Sequence, residues 1–352
     1  MKSSRIVLVA IAAVLSVCSC TDKHITVDCI WNENYSAFPS ITEYQGKYYV
    51  AFREADSHIF DKNGNAEGKA RVLVSGNGRK WKSVALLEKA GTDLRDPKLS
   101  VTPDGRLMLT MGGSVYVNKE LVSYYPQVAF STDGVNFSNP KPVVFDKSIS
   151  DNREWIWRLT WHDGVGYGVT YGDHFALVKT VDGIHYERVT ELDLDRGLFP
   201  GESTLRFTPE GRMLMMVRCE NGDAMGRWGE SLPPYTEWKW RKMDLHLGGP
   251  DFILLDNGMV VAGSRYYFPN NCKTMLLVGN QKGDFEERYL FPSGGDTSYP
   301  GFIDVGDELW MVYYSRHETE NRGTDGTVYD FDPEDRPAQA SIYLARIPKE
   351  IL

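Results

Sequence analysis

Cysteine is scarce in this chain. Its 352 residues hold five, and Cys18 and Cys20 fall in residues 1–20. The other three, Cys29, Cys219 and Cys272, are odd in number and show no CxxC spacing. That pattern argues against a disulfide framework and a cysteine-ligated zinc site; three buried free thiols are expected, with a single bridge as the alternative. Positive charge is also short: 39 Lys and Arg stand against 48 Asp and Glu, a net charge of -9. With no basic stripe, nucleic acid is not an expected partner. There is no phosphate loop, no dinucleotide glycine pattern and no HExxH, so no cofactor is expected, and no spacing points to metal ligands. Long helical periodicity is missing too, which leaves β structure as the way to build a core from 42% hydrophobic residues.

The longest apolar run is Ile6 to Val17, preceded by Lys2 and Arg5. It is too short to span a bilayer and has the proportions of a signal peptide. The small residues before Cys20 resemble a bacterial lipoprotein cleavage box. Residues 1–20 are therefore expected to be removed, with lipid on Cys20 and a membrane anchor rather than a span. The expected location is the bacterial cell envelope, periplasmic or surface-exposed. Residues 21–352 contain no linker and read as one domain, expected to be a monomer.

What is abundant is glycine, 33 residues, and aromatic side chains, 12%. Glycines after polar residues and before apolar runs recur at Gly46, Gly105, Gly164, Gly211, Gly258 and Gly306. Spacings of roughly 45–60 residues with strand pairs in each unit signify a propeller-type array. The unit Gly201 to Arg218 is typical: one alternating strand, a Thr208-Pro209-Glu210-Gly211 turn, then the apolar run Met213 to Val217. Three units carry a further turn of the form Ser/Thr-x-Asp/Asn-Gly, at Ser75 to Gly78, Ser131 to Gly134 and Thr180 to Gly183. Asp or Asn closes such a turn on its own backbone. Six units of four strands fill the chain, an all-β six-bladed propeller. His24 to Asp28 is expected to supply the outermost strand of the last blade and remove a free edge. Gly323 to Pro337 reads as an acidic loop inserted in that blade.

In a hairpin the first strand's start and the second strand's end share one rim. Seven residues past the turn glycines stand Arg53, Gly112, Tyr171, Arg218, Arg265 and Tyr313. Opposite them lie Phe38, Arg95 and Asp96, Trp157 and Arg158, Glu202, Gly249, and Tyr299. Three arginines at one repeat position imply an anion between them.

The turns, the Glu202…Arg218 unit and the Tyr299 unit two blades later resemble the sialidase (neuraminidase) superfamily. That resemblance spans almost the whole chain after residue 20 and implies a six-bladed propeller acting on glycans. It implies that Tyr299 is a nucleophile, Glu202 its base, and Asp96 or Asp56 the acid. It further implies that Arg53, Arg218 and Arg265, helped by Arg95, Arg158, His58 and Tyr313, hold a substrate carboxylate. A phenol needs an adjacent base to attack near neutrality, and sialidases depart from the two-carboxylate scheme in this way. Phe38 stands where the family opens its first inner strand with arginine. The expectation is therefore an exo-glycosidase for a terminal acidic sugar. A polysaccharide lyase using His58 or His317, or a glycan-binding lipoprotein, remains an alternative.

Overall fold

A computed structural model describes residues 24–149, 153–267, 272–318, 321–322, 328–329 and 339–352. The expected leader with Cys20 and nearly all of the acidic loop lie outside the described residues. Each repeat glycine closes a hairpin. Its first strands are Tyr35–Tyr44, Asp93–Val101, Glu154–His162, Pro200–Phe207, Asp251–Leu254 and Thr297–Val305. Their partners are Lys47–Ala55, Leu107–Val117, Val165–Gly172, Met213–Cys219, Met259–Tyr266 and Glu308–Ser315. Two more antiparallel strands complete each sheet outward. The first strands touch one another in chain order, and the sixth touches the first. Six sheets thus ring one axis as the blades of a β-propeller. Blade three adds a two-residue parallel strand, Val144–Phe145.

Strand alternation explains the packing. In Met213–Cys219, Met213, Met215 and Val217 pack with Val169 and Leu177 of blade three. Leu214 and Met216, on the other face, pack with Phe252 and Ala262 of blade five. A strand buried on both faces has no polar side to show, so its sequence reads as a continuous apolar run.

The three Asx-type turns hold one hydrogen-bond pattern. The Ser75, Ser131 and Thr180 hydroxyls accept from the N–H of Gly78, Gly134 and Gly183 at 2.9 Å each. Asn77, Asp133 and Asp182 each accept two backbone N–H bonds, from residues two and three ahead.

The ring closes as the sequence predicts: Thr26–Trp31 pairs antiparallel with Ser341–Pro348, so the last blade holds both ends of the described chain. The cysteines depart from expectation in one respect. Only Cys219 is buried; Cys29 is exposed on the outermost strand and Cys272 is half-buried. An edge strand has one face in solvent, and Cys29 sits on it.

Candidate active site

The site is built by β-bulges. In five first strands the register slips where the strand leaves the axis: between Ala37 and Ser40, Arg95 and Lys98, Ile156 and Leu159, Pro200 and Ser203, and Ser298 and Gly301. Gly249-Pro250 stands at the matching place before Asp251–Leu254. An extra residue re-aims a side chain toward the axis. Phe38, Asp96, Gly249 and Tyr299 take left-handed φ of 61°, 48°, 58° and 52° there, each followed by proline. For the three non-glycine residues this conformation is strained, and such strain concentrates at functional sites. In blades three and four Arg158 and Glu202 take the place of that proline.

Tyr299 and Glu202 meet at the centre. The Tyr299 hydroxyl donates to Glu202 Oε1 at 2.5 Å. Arg218 Nη1 donates to Glu202 Oε2 at 2.8 Å and to the Tyr299 oxygen at 3.0 Å. The Gly249 N–H donates to Glu202 Oε2 at 2.8 Å. The Tyr299 ring lies on Gly249, where a Cβ would come within 2.5 Å of it. Phe38, Trp157 and Tyr314 surround the ring with centroids at 5.0, 5.9 and 6.0 Å.

These contacts set the proton positions. Burial alone would raise the Glu202 pKa, but Arg218, the Tyr299 hydroxyl and the Gly249 N–H outweigh it and hold Glu202 below the ordinary range. Burial and the Glu202 charge push the Tyr299 phenol well above its usual value. Asp96 is buried, and its Oδ1 has no hydrogen-bond partner among the described residues. Burial raises its pKa; Lys98 and Arg95 pull it back only in part, and Glu202 adds to the rise. The cluster therefore brings together a phenol that keeps its proton, an ionised glutamate and an aspartic acid whose pKa burial raises, three groups of different proton affinity in one place.

The arginines are arranged differently from the expectation. Arg265 reaches the cluster, its guanidinium 5.4 Å from the Tyr299 ring centre. Its Nη2, however, pairs with Asp296 at 3.1 Å. Arg53 is wholly buried, bonded to Asp93 at 2.7 Å and to the Ser57 carbonyl, so it is not open to a ligand. Arg95 lies closer to the opening and shares Asp93 at 3.2 Å. Arg158 lies deeper on the axis, bound to Asp251 and the Pro300 carbonyl. His58 faces the site, with Nδ1 on Asp296 at 2.5 Å.

Tyr313 and Asp56 are corrected. The Tyr313 ring is buried between blades, and its hydroxyl donates to the Pro292 carbonyl. Tyr314 instead pairs with Ser298 and points at the site. The cause is where the glycine sits in its turn: Gly46 is the second of the two residues between Tyr44 and Lys47, whereas Gly306 is the first of the two between Val305 and Glu308. Pairing resumes at Lys47 directly after Gly46, but at Glu308, one residue beyond Asp307, after Gly306. One residue of slip exchanges the two faces of a strand. Arg218 stands opposite a bulge, whereas Arg53 and Arg265 stand one residue past theirs, opposite Ala37 and Gly248. Asp56 is exposed on a cavity of about 280 Å³ shared with Asp61 and Glu67, and no described contact joins it to Tyr299 or Glu202.

Sequence reasoning missed Asp296, Asp93, Tyr35 and Glu220. Asp296 accepts from Tyr314 at 2.5 Å and from Tyr35, besides Arg265 and His58. Burial opposes its ionisation, but His58 and Arg265 hold its pKa far below normal. Its position just before the Thr297 strand, matching Leu94 and Asp93 before Arg95, was a usable signal. Among the described residues no group of three His, Cys, Asp or Glu is placed to hold a metal ion.

No protein-family model matches the chain, and no curated protein matches it in sequence. Solved structures do match in fold. A protein of unknown function from Dyadobacter fermentans superposes with TM-score 0.71 at 15% identity, covering 91% of this chain and 99% of that one. An alpha-L-arabinanase from Penicillium chrysogenum gives 0.62 at 12%, covering 91% and 97%. A Trypanosoma rangeli sialidase gives 0.61 at 10%, covering 90% of this chain but only 56% of its own. At such identities the likeness shows that this chain shares their six-bladed propeller fold.

Proposed function

We propose that the protein is a glycoside hydrolase that removes a terminal sugar from a glycan. The observation that carries this is the Tyr299–Glu202 hydrogen bond at 2.5 Å, bridged by Arg218, with buried Asp96 in the same cluster. The hydrolase names of several fold neighbours support it. In the first step Asp96 gives its proton to the leaving oxygen. The Tyr299 oxygen bonds to the anomeric carbon, and its phenolic proton passes to Glu202. In the second step the Asp96 carboxylate takes a proton from water, whose oxygen displaces Tyr299. Glu202 returns the proton, and two inversions give net retention.

One observation favours a second route through the same atoms. Arg218 and the Gly249 N–H stabilise the Glu202 carboxylate, which suits Glu202 to attack directly while Tyr299 orients it. The lyase alternative finds less support: His58 is held on Asp296, and His317 lies beside Ser315 and Glu318. Tyr299→Phe decides. Steady-state kinetics on a cleaved glycoside should show kcat falling about 10³-fold or more if Tyr299 is the nucleophile. A loss within about tenfold assigns the attack to Glu202. If no glycan is cleaved by the wild type but one is bound, the protein is a binding protein and the proposal fails.

A further inference from the structure

The reactive cluster carries guanidinium groups, and each that reaches it is already paired with a carboxylate, while the buried Lys98 ammonium donates to the Phe38 carbonyl at 2.9 Å. Among the described residues, Arg53 and Arg95 share Asp93. Arg218 holds Glu202 at 2.8 Å and Glu220 at 2.5 Å. Arg265 holds Asp296 at 3.1 Å. Four guanidinium groups therefore meet four carboxylates, Asp93, Glu202, Glu220 and Asp296. Asp96 adds no charge while it keeps its proton. Arg158 is tied to Asp251 below the cluster, and Arg316 is buried behind the Tyr35 ring.

We infer that the site takes a neutral terminal sugar, recognised through its hydroxyls and its apolar face rather than through a carboxylate. This rests on the glycosidase reading and narrows it. An incoming carboxylate would lie within reach of Glu202, Glu220 and Asp296 with no unengaged guanidinium to offset them. Losing water without a charged partner is costly for such a group. A hydroxyl, in contrast, is both donor and acceptor. The partly open His58, Asp296, Arg265 and Glu220 side chains give it both kinds of partner at once. Flat apolar faces suit the C–H side of a sugar ring. Trp155 stacks on Tyr171 at 6.0 Å, and His246 on Tyr267 at 3.9 Å. Tyr267 sits among Arg218, Arg265 and Glu202, and its buried hydroxyl has no partner among the described residues. A neutral anomeric carbon also lacks the charge that would repel the Glu202 carboxylate, so both routes to the covalent intermediate stay open.

The test uses the wild-type protein and Asp296→Asn. Chromogenic glycosides of neutral pentoses and hexoses are compared with a glucuronide and an N-acetylneuraminide, in turnover and in calorimetric binding. The wild type should prefer a neutral glycoside by at least about tenfold, with an affinity nearly independent of salt. Asp296→Asn uncovers Arg265, so binding of the acidic sugars should rise by about tenfold while that of the neutral one falls. Tighter binding or faster cleavage of an acidic sugar by the wild type overturns the inference and leaves the hydrolase reading standing. If sugars of neither class bind or react, both fall together. If the variant does not fold, the wild-type preference and its salt dependence still decide.

Discussion

At the scale of single residues the site depends on where protons rest. Asp96 is buried beside Lys98 and Arg95, with Glu202 also acting on it, and its pKa is raised. Below that pKa it carries the proton that the leaving oxygen needs in the proposed reaction; as pH rises through it, that proton and the proposed activity should be lost. Glu202 is lowered, so it stays ionised to lower pH. The pH–rate profile should thus lose activity on the alkaline side through Asp96 and keep it on the acid side until Glu202 protonates. Asp96→Asn should remove the alkaline limb and cut kcat by about 10²–10⁴-fold on an alkyl glycoside. Loss on a good leaving group such as nitrophenol should be far smaller. An unchanged alkaline limb would assign that titration elsewhere. Residue identity at this level was partly legible. Tyr299, Glu202, Arg218 and Asp96 stood out because their types and spacing suit the chemistry. Asp296 and Asp93 did not, because their role is to answer arginines, and a one-dimensional chain does not show which carboxylate meets which guanidinium. Asp93 lies 40 residues from Arg53.

Elements explain both the success of the repeat and its error by one residue. Turn glycines and apolar runs located all six hairpins, because a strand packed between two blades must be apolar on both faces. Counting from those glycines misplaced Tyr313, because Gly306 is the first residue of its turn and Gly46 the second of its own, a difference invisible to a fixed offset. The X-Pro pairs at Phe38, Asp96, Gly249 and Tyr299 marked the bulges, yet a bulge shows itself only once its partner strand is known. The three Asx-type turns have a packing role that composition did not reveal. A Cβ on Gly78 would strike Trp310 of blade six at 2.0 Å, on Gly134 the Tyr49 hydroxyl of blade one at 2.1 Å, and on Gly183 Met108 of blade two at 2.7 Å. Each turn therefore rests on the preceding blade. Gly134 also sits at φ 72°, so Gly134→Ala should cost about 1–2 kcal/mol from conformation alone, plus the displacement of Tyr49. Urea unfolding should show a lower midpoint. An unchanged midpoint would mean that the turn moves off Tyr49 freely.

The whole molecule is held as a ring, and the ring is closed by one short strand. Thr26–Trp31 pairs with Ser341–Pro348 and completes blade six from the opposite end of the chain. Asp28 pairs with Arg346 at 2.5 Å, and Arg346 also bonds the Gly78 carbonyl, which ties the closure to blade one. Ile30 and Trp31 pack against the buried cluster that contains Phe38 and Tyr299. Val27 packs against the one that contains Tyr313. All six blades line the site, blade three through Trp157 and Tyr171, so any loosening of blade six displaces Tyr299 and Tyr314 from Glu202 and Arg265. Removing residues 24–31 should leave Ser341–Pro348 as an open edge. The lost ladder bonds and apolar contacts should cost a few kcal/mol, at about 0.5–1.5 kcal/mol per bond net. The unpaired strand should then recruit other chains. The measurable outcome is a lower thermal midpoint, concentration-dependent light scattering, and loss of the proposed glycosidase activity with Tyr299, Glu202 and Asp96 untouched. A synthetic peptide of residues 24–31, added in excess, should restore the midpoint, because the strand closes the ring by pairing and needs no covalent link to do so. A truncated protein that stays monomeric with an unaltered midpoint would show that the remaining strands hold blade six without it.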